Sequence, residues 1–367
     1  MRMQNPIVNV KKAVAPMNRN SKVRSPQRRF IISMVAAVVG TAVVGVAVSV
    51  VGMYVGHWES TVIKYVAKVV PAPALAVNGH WRSYDEYLDA VATLDYSFGQ
   101  PAVLQASGYT VKPSDQELRT MVLDRMAKEE VVNQIAKKRG VAVTKADLDA
   151  EMKKLADQTG SEADVAEQVK QLYQWDLTTF SKKVIEPYLL RQRLQDDIAS
   201  DAAINADAAS RAQKALTRVQ AGEDFQTIAK ELNEDSTKGV SGDMGIWAKG
   251  EKDAALEEAA FALEVGKNSG IITTVGGYYI LKLLEKVPAD DSTSTPEKVH
   301  TAGIFIGVKA LDIWLYEQSK SQKVAIFLRG YAWNKDGARV VYSGTSSSPA
   351  TNANSAVNAN TNAAVSQ

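Results

Sequence analysis

A run from Ile31 to Val55, IISMVAAVVGTAVVGVAVSVVGMYV, carries no charge. A helix of this length crosses a hydrocarbon core of about 30 Å with some tilt. Upstream lie Arg2, Lys11, Lys12, Arg19, Lys22, Arg24, Arg28 and Arg29, with no acidic residue among them. Basic flanks stay in the cytoplasm, so residues 1–30 read as a cytoplasmic head and residues 31–55 as a single-pass anchor. The later domains are then extracytoplasmic, held at the cell membrane. A cleaved signal peptide is the rival reading, but its apolar core is about 7–15 residues and ends at a small-residue site. This run is longer, and Tyr54 and Trp58 stand at its outer edge as an interfacial belt would. The cleavable-looking PAPALA at Pro71–Ala76 lies well beyond it.

The length of 367 residues leaves room for about two further domains. Their composition, 46% hydrophobic and 23% charged, is ordinary for globular sequence. The formal net charge of +2 includes the eight cations of the head, so the exported part is mildly acidic. That argues against a nucleic-acid binder. There is no cysteine, which excludes disulfides, thiolate nucleophiles and cysteine zinc sites. The histidines, His57, His80 and His300, are far apart and have no helix-spaced partner. No metal, cofactor or phosphate loop is expected.

Several amphipathic helices follow in succession. Val77-Asn78-Gly79 reads as a short strand and a turn. A helical pattern starts near Ser83, and the Gly99–Gly108 stretch reads as loop or weak helix. Ser114 and Glu117 form a capping box, and Lys137, Lys138, Arg139 and Gly140 end that helix. Thr144 with Asp147 caps the next helix, Ser161 opens a shorter one, and a long helix near Thr178–Ser200 is interrupted at Pro187. The order of AVNGHWRSYDEYL, DRMAKEEVVNQIAKKRGVAVTKADLDAEM and FSKKVIEPYLLRQRL resembles the N-terminal domain of SurA/PrsA-like exported chaperones, over residues 70–200.

From residue 201 the pattern changes. A helix to Val219 is followed by AGEDF, opening another, and by a glycine-punctuated stretch, Asp235–Trp247. ALEEAAFAL reads as a helix. GIITTV and YYILKLLEKV, separated by Gly276-Gly277, read as a hairpin. AGEDFQTIAKELNEDS, SGDMGIW, EEAAFALEVGKNSG and GGYYILKL, in this order, resemble the parvulin, or PpiC-type, peptidyl-prolyl isomerase domain. The whole then implies an α+β fold: one transmembrane helix, a helical SurA-N-like domain at 70–200, and a parvulin-like four-stranded sheet with helices at 201–335. The uncharged tail, 343–367, is expected to be disordered.

The resemblance also implies site residues. Asp235 stands at the family's Cys/Asp position and Tyr279 at its second histidine, the two candidate catalytic residues. Met244, Trp247 and Leu256 match apolar pocket positions, while Lys252 departs from that pattern. The family's first histidine belongs to a strand that should precede Ile204, and no such strand is there. Val299–Ile306, VHTAGIFI, is similar to it, which implies either a circularly permuted domain or an ordinary added strand. In the permuted register the histidine position is Gly303, and His300 lies three residues earlier. The partners implied are unfolded or proline-containing exported polypeptides. With both histidines replaced, weak or lost catalysis is expected; an active isomerase and an envelope scaffold are the alternatives.

Overall fold

The computed structural model describes residues 41, 44–58, 60–289 and 296–343. The expectations for the head, for residues 31–40 and 42–43 of the apolar run, and for the tail beyond Ser343 lie outside the described residues. The chain divides into two units, Met1–Val66 and Ala67–Gln367.

In the first unit, helical residues 44–51 lead into a π-helical turn, Gly52–Gly56, closed by His57 in the left-handed region at φ 51°. The Trp58 ring lies against this turn. A Cβ at Gly52 would stand 2.3 Å from it and one at Gly56 2.4 Å, so the ring packs this closely because both are glycines. Helix α1, Thr61–Val69, runs across the division between the units. Among the described residues no helix is long and apolar enough to cross a membrane.

The second unit begins with strands β1, Pro73–Val77, and β2, His80–Ser83. Asn78 and Gly79, at φ 53° and 86°, make the tight turn between them. Ser83 caps α2, Tyr84–Phe98, by accepting from the Glu86 amide, and the Gly99–Gly108 stretch contains the short α3, Pro101–Ala106. Helix α4, Asp115–Arg139, has the reciprocal Ser114–Glu117 box at its start and Gly140 at φ 74° after its end. Thr144 and Asp147 cap α5, Lys145–Thr159, in the same way, and Ser161 caps α6, Glu162–Tyr173. The last helix of this series has three parts: α7, Leu177–Phe180, a π-turn, Ser181–Ile185, and α8, Glu186–Ser200. Pro187 sits in the first turn of α8. Its ring conflicts with the carbonyl four residues earlier, and widening the helix there relieves that conflict.

Helices α9, Ala206–Gln220, and α10, Phe225–Leu232, follow, then β3, Asp243–Ala248, in the stretch read as glycine-rich loop. Next come α11, Ala254–Ala262, β4, Ile272–Thr273, β5, Gly277–Val287, and β6, Lys298–Gly307. The four strands form one antiparallel sheet in the order β3-β6-β5-β4. On one face Ile280, Ala302, Ile304 and Ile306 pack under α9 and α10. On the other, Leu281, Leu283 and Val299 pack with Trp247 and with Leu256 and Ala260 of α11.

Past Gly307 the chain leaves the four-stranded sheet. Helix α12, Leu311–Lys320, leaves the sheet and packs on the helical body, where Leu311 and Leu315 meet Val132, Leu194 and Ile198. Strand β7, Val324–Ile326, does not extend the four-stranded sheet. It pairs with β1, Leu75 opposite Ile326, and completes a sheet β2-β1-β7. The reason is that β1 has a free edge opposite β2, and Asn78 reinforces the join: its amide donates to the Lys323 carbonyl and its Oδ1 accepts from the Lys323 amide. A hairpin, β8, Tyr331–Asn334, with β9, Arg339–Tyr342, closes on α4, where Val340 donates to Asp124. The sheet-bearing domain is thus an insertion between α8 and α12. Buried Asn205 ties its entry to its exit, donating to the Ile198 and Ala199 carbonyls and accepting from the Lys309 amide.

Candidate functional site

The α11 face of the four-stranded sheet gathers most of the sequence-derived residues. Alternation along β6 puts Val299, Thr301, Gly303 and Phe305 on this face, and alternation along β5 adds Tyr279, Leu281 and Leu283. Leu281 stands opposite Gly303 and Tyr279 opposite Phe305. The Tyr279 and Phe305 rings lie 4.6 Å apart, tilted by 37°. Met244 and Tyr279 are half-buried members of the cluster that contains Trp247 and Leu256.

Gly303 leaves a gap in this face, and Met244 fills it. A Cβ at Gly303 would lie 2.8 Å from the Met244 sulfur. The backbone beside it is held closely, because the Gly303 amide donates to the Gly242 carbonyl over 2.8 Å. Gly242 itself has φ 80°, and a Cβ there would meet the Gly303 carbonyl oxygen at 2.3 Å. Only glycine satisfies both demands.

Trp247 and Leu256 are walls rather than open lining, at 2% and 4% exposure. The Trp247 indole donates to the buried Thr301 hydroxyl at 3.0 Å, and the Phe261 ring meets Trp247 edge-on. Lys252 is exposed and lies outside this apolar cluster. Its amide, with that of Gly250, donates to Glu257 of α11, which fixes the loop before the helix.

Asp235 is not among these apolar residues. Its Oδ1 accepts from the Thr237 amide, the Thr237 hydroxyl and the Asn233 side chain, so it caps the 3₁₀ turn Ser236–Val240. Asn233, fully buried, links that turn to the sheet by accepting from the Phe305 amide. Burial pushes the Tyr279 phenol above its ordinary pKa, and the charges of Asp235 and Asp253 add to this. The phenol therefore stays protonated at neutral pH and can donate a hydrogen bond.

His300 points away from Gly303, and its Nε2 lies 2.7 Å from Asp243 Oδ1. The Gly245 amide, and then His300, hold the Asp243 carboxyl below its usual range. Among the described residues no group of acidic and histidine side chains could hold a metal ion.

Sequence reasoning missed Thr301, Phe305, Phe261 and Asn233. β6 is apolar on both faces, so its alternation says nothing about which residues share the Tyr279 side. Asn233 looks like any helix-terminal asparagine until its Phe305 partner, 72 residues away, is seen.

A four-stranded antiparallel sheet with two helices on one face and one on the other is the architecture expected of a parvulin-like domain. Residues 192–285 match the family described as Rotamase: PPIC-type PPIASE domain. The chain is PrsA- and SurA-like. It is 33% identical over 90 residues to a foldase protein PrsA from Halalkalibacterium halodurans, covering 24% of this chain and 26% of that one. It is 37% identical over 83 residues to a chaperone SurA from Albidiferax ferrireducens, covering 22% of this chain and 18% of that one. The chain thus spans about a quarter or less of these two relatives' length. Among solved structures, PrsA from Bacillus subtilis aligns at 24% identity and a TM-score of 0.20, covering 45% of this chain and 68% of that one. The family match ends at Glu285, before β6, yet β6 is the strand that lies between β3 and β5.

Proposed function

We propose that this protein is a membrane-anchored, extracytoplasmic folding factor that binds unfolded exported polypeptides, with isomerase chemistry that is weak or lost. The observation that carries the second half is the pair Gly303 and Tyr279, which stand where the resemblance to parvulins calls for histidines. Rotation about an X-Pro bond faces a barrier of roughly 20 kcal/mol, and a catalyst must bind the twisted amide better than either planar form. Here one of the two groups has no side chain at all. The other is a phenol, which can donate one hydrogen bond but cannot reproduce an imidazole pair. Asp235, the third member, is engaged by Thr237 and Asn233. What remains is an apolar face with aromatic edges, suited to holding extended chains of varied sequence.

We read β6 as the domain's first strand moved to its C-terminal side by circular permutation. Its central position in the sheet supports this, since an ordinary addition would join an edge. The link from β5 to β6 need only join neighbouring antiparallel strands.

A protease-coupled proline isomerisation assay on the full chain in detergent tests the catalytic reading, with Asp235→Ala alongside. The expected rate is close to the uncatalysed one and unchanged in the variant. A rate like that of active parvulins, lowered by the substitution, sinks it. Suppression of aggregation of a proline-free client tests the holding role. A chain that does not protect such a client, yet pulls down one stable envelope protein, is a scaffold instead.

A further inference from the structure

Helix α1 has three differently coloured sides. At 100° per residue, Val62, Tyr65 and Val69 fall within one narrow sector, and they are 64%, 71% and 66% exposed. Ile63 and Ala67 fall in a second sector and are buried, at 2% and 5%. Lys64 and Lys68 occupy the third and are exposed. The burial of Ile63 and Ala67 accounts for one apolar face of the helix. It leaves the valine–tyrosine stripe without cover.

We infer that this stripe lies on the lipid headgroup–acyl boundary at the outer surface of the bilayer, with Lys64 and Lys68 reaching anionic headgroups. The inference rests on the proposed anchor and goes beyond it. Three observations select lipid as the occupant. The apolar run ends at Val55 and α1 begins at Thr61, so the five residues between reach at most about 20 Å even fully extended. The helix therefore starts no more than about 20 Å from the end of the apolar run, close enough for α1 to lie in the interfacial layer of about 5–8 Å on that side of the hydrocarbon core. Exposed Trp58, in the connection, and Tyr65, in the stripe, are the residue types that settle at that depth. The charge also fits, because lysines next to an apolar stripe extend their stems along it and place their ammonium groups among phosphates. A stripe this short would bind a vesicle weakly as a free peptide. Next to a membrane-spanning segment its effective concentration at the surface is high, so weak contacts suffice.

The absence of cysteine makes a direct test possible. Single cysteines are placed in the full chain at Val48, Val62, Lys64, Tyr65 and Val69 and spin-labelled. The protein is reconstituted in vesicles of phosphatidylethanolamine and phosphatidylglycerol. The readout is the ratio of relaxation by oxygen, which dissolves in lipid, to relaxation by a water-soluble nickel chelate. The expected result is an oxygen-dominated signal at Val48→Cys, a several-fold higher oxygen-to-chelate ratio at 62, 65 and 69 than at 64, and a smaller contrast when phosphatidylglycerol is replaced by phosphatidylcholine. If position 48 is lipid-exposed while 62, 65 and 69 are as chelate-accessible as 64, the interfacial helix is overturned and the anchor stands. If position 48 is itself chelate-accessible, the anchor reading fails and the interfacial helix fails with it. Circular dichroism on each labelled variant confirms that the fold is kept.

Discussion

The two faces of the four-stranded sheet are made by the same strands and do different things. Under α9 and α10, Ile280, Ile304 and Ile306 are sealed at 2% exposure or less. On the α11 side the lower half is equally closed around Trp247 and Leu283, but the upper half holds Gly303, half-buried Met244 and the Tyr279–Phe305 pair. One face is built for stability. The other gives up packing at one end and exposes aromatic edges there. Sealed packing and a partly open surface therefore divide between adjacent residues, because side chains on a strand alternate.

The sharpest way to break this comparison uses neighbours on β5. Ile280→Ala should cost about 2–5 kcal/mol in urea denaturation, as expected for a large apolar side chain removed from a sealed core. Protection of a client by the protein that remains folded should be unchanged. A loss under about 1 kcal/mol would mean that the α9/α10 face is not the stabilising one.

Next come the two touching glycines. Gly242→Ala should cost roughly 1–3 kcal/mol, because its φ of 80° strains any other residue and its Cβ meets a backbone oxygen. Gly303→Ala should cost under about 1 kcal/mol, because the atom it meets belongs to the flexible Met244 side chain. Equal costs in thermal melts would show that the open face is as rigid as the sealed one.

A smaller effect than at Ile280 is expected at Tyr279, whose ring is only half-buried. Tyr279→Ala removes the ring pair with Phe305, worth about 0.5–1.5 kcal/mol beyond the area the ring covers. It should also weaken client protection several-fold in an aggregation assay, which Ile280→Ala should not do. Unchanged protection would remove Tyr279 from the proposed binding surface.

The smallest effect is electrostatic and sits at the sheet's edge. The Asp243 carboxyl is held below its usual range, so its contribution is fully present above about pH 4 and is lost as pH falls through the depressed folded value. The pair with His300 is partly exposed, 48% on the Asp243 side, so solvent screening keeps the contribution under about 1 kcal/mol. Asp243→Asn should lower stability at pH 7 slightly and converge with the unmodified chain once the pH is below the depressed folded value. A difference that persists at that pH would assign the effect to packing instead.

Much of the local structure was legible in the chain. Ser114 with Glu117, Thr144 with Asp147, and Asn78-Gly79 act through neighbours three residues away or fewer, and each forms the cap or turn that its pattern implies. The stretch around β3 was harder to read, because Gly242 and Gly245 suggest loop. The strand there exists because β6 supplies its partner, with Trp247 opposite Val299. Asp235 shows the reverse case. Its position in the parvulin pattern suggests chemistry, and its bonds in the fold are those of a capping residue.

The sequence by itself determined where most helices start and stop, and that no thiol chemistry is available. These depend on residue identity or on contacts within one turn. Tertiary structure alone decided that β6 lies inside the sheet, that Met244 fills the space beside Gly303, and that β7 returns to β1. It also decided that Asn205 joins Ile198 to Lys309 across 111 residues. Such pairings follow from which edges and apolar faces remain uncovered once local structure has formed, and a pattern read along the chain carries no record of that.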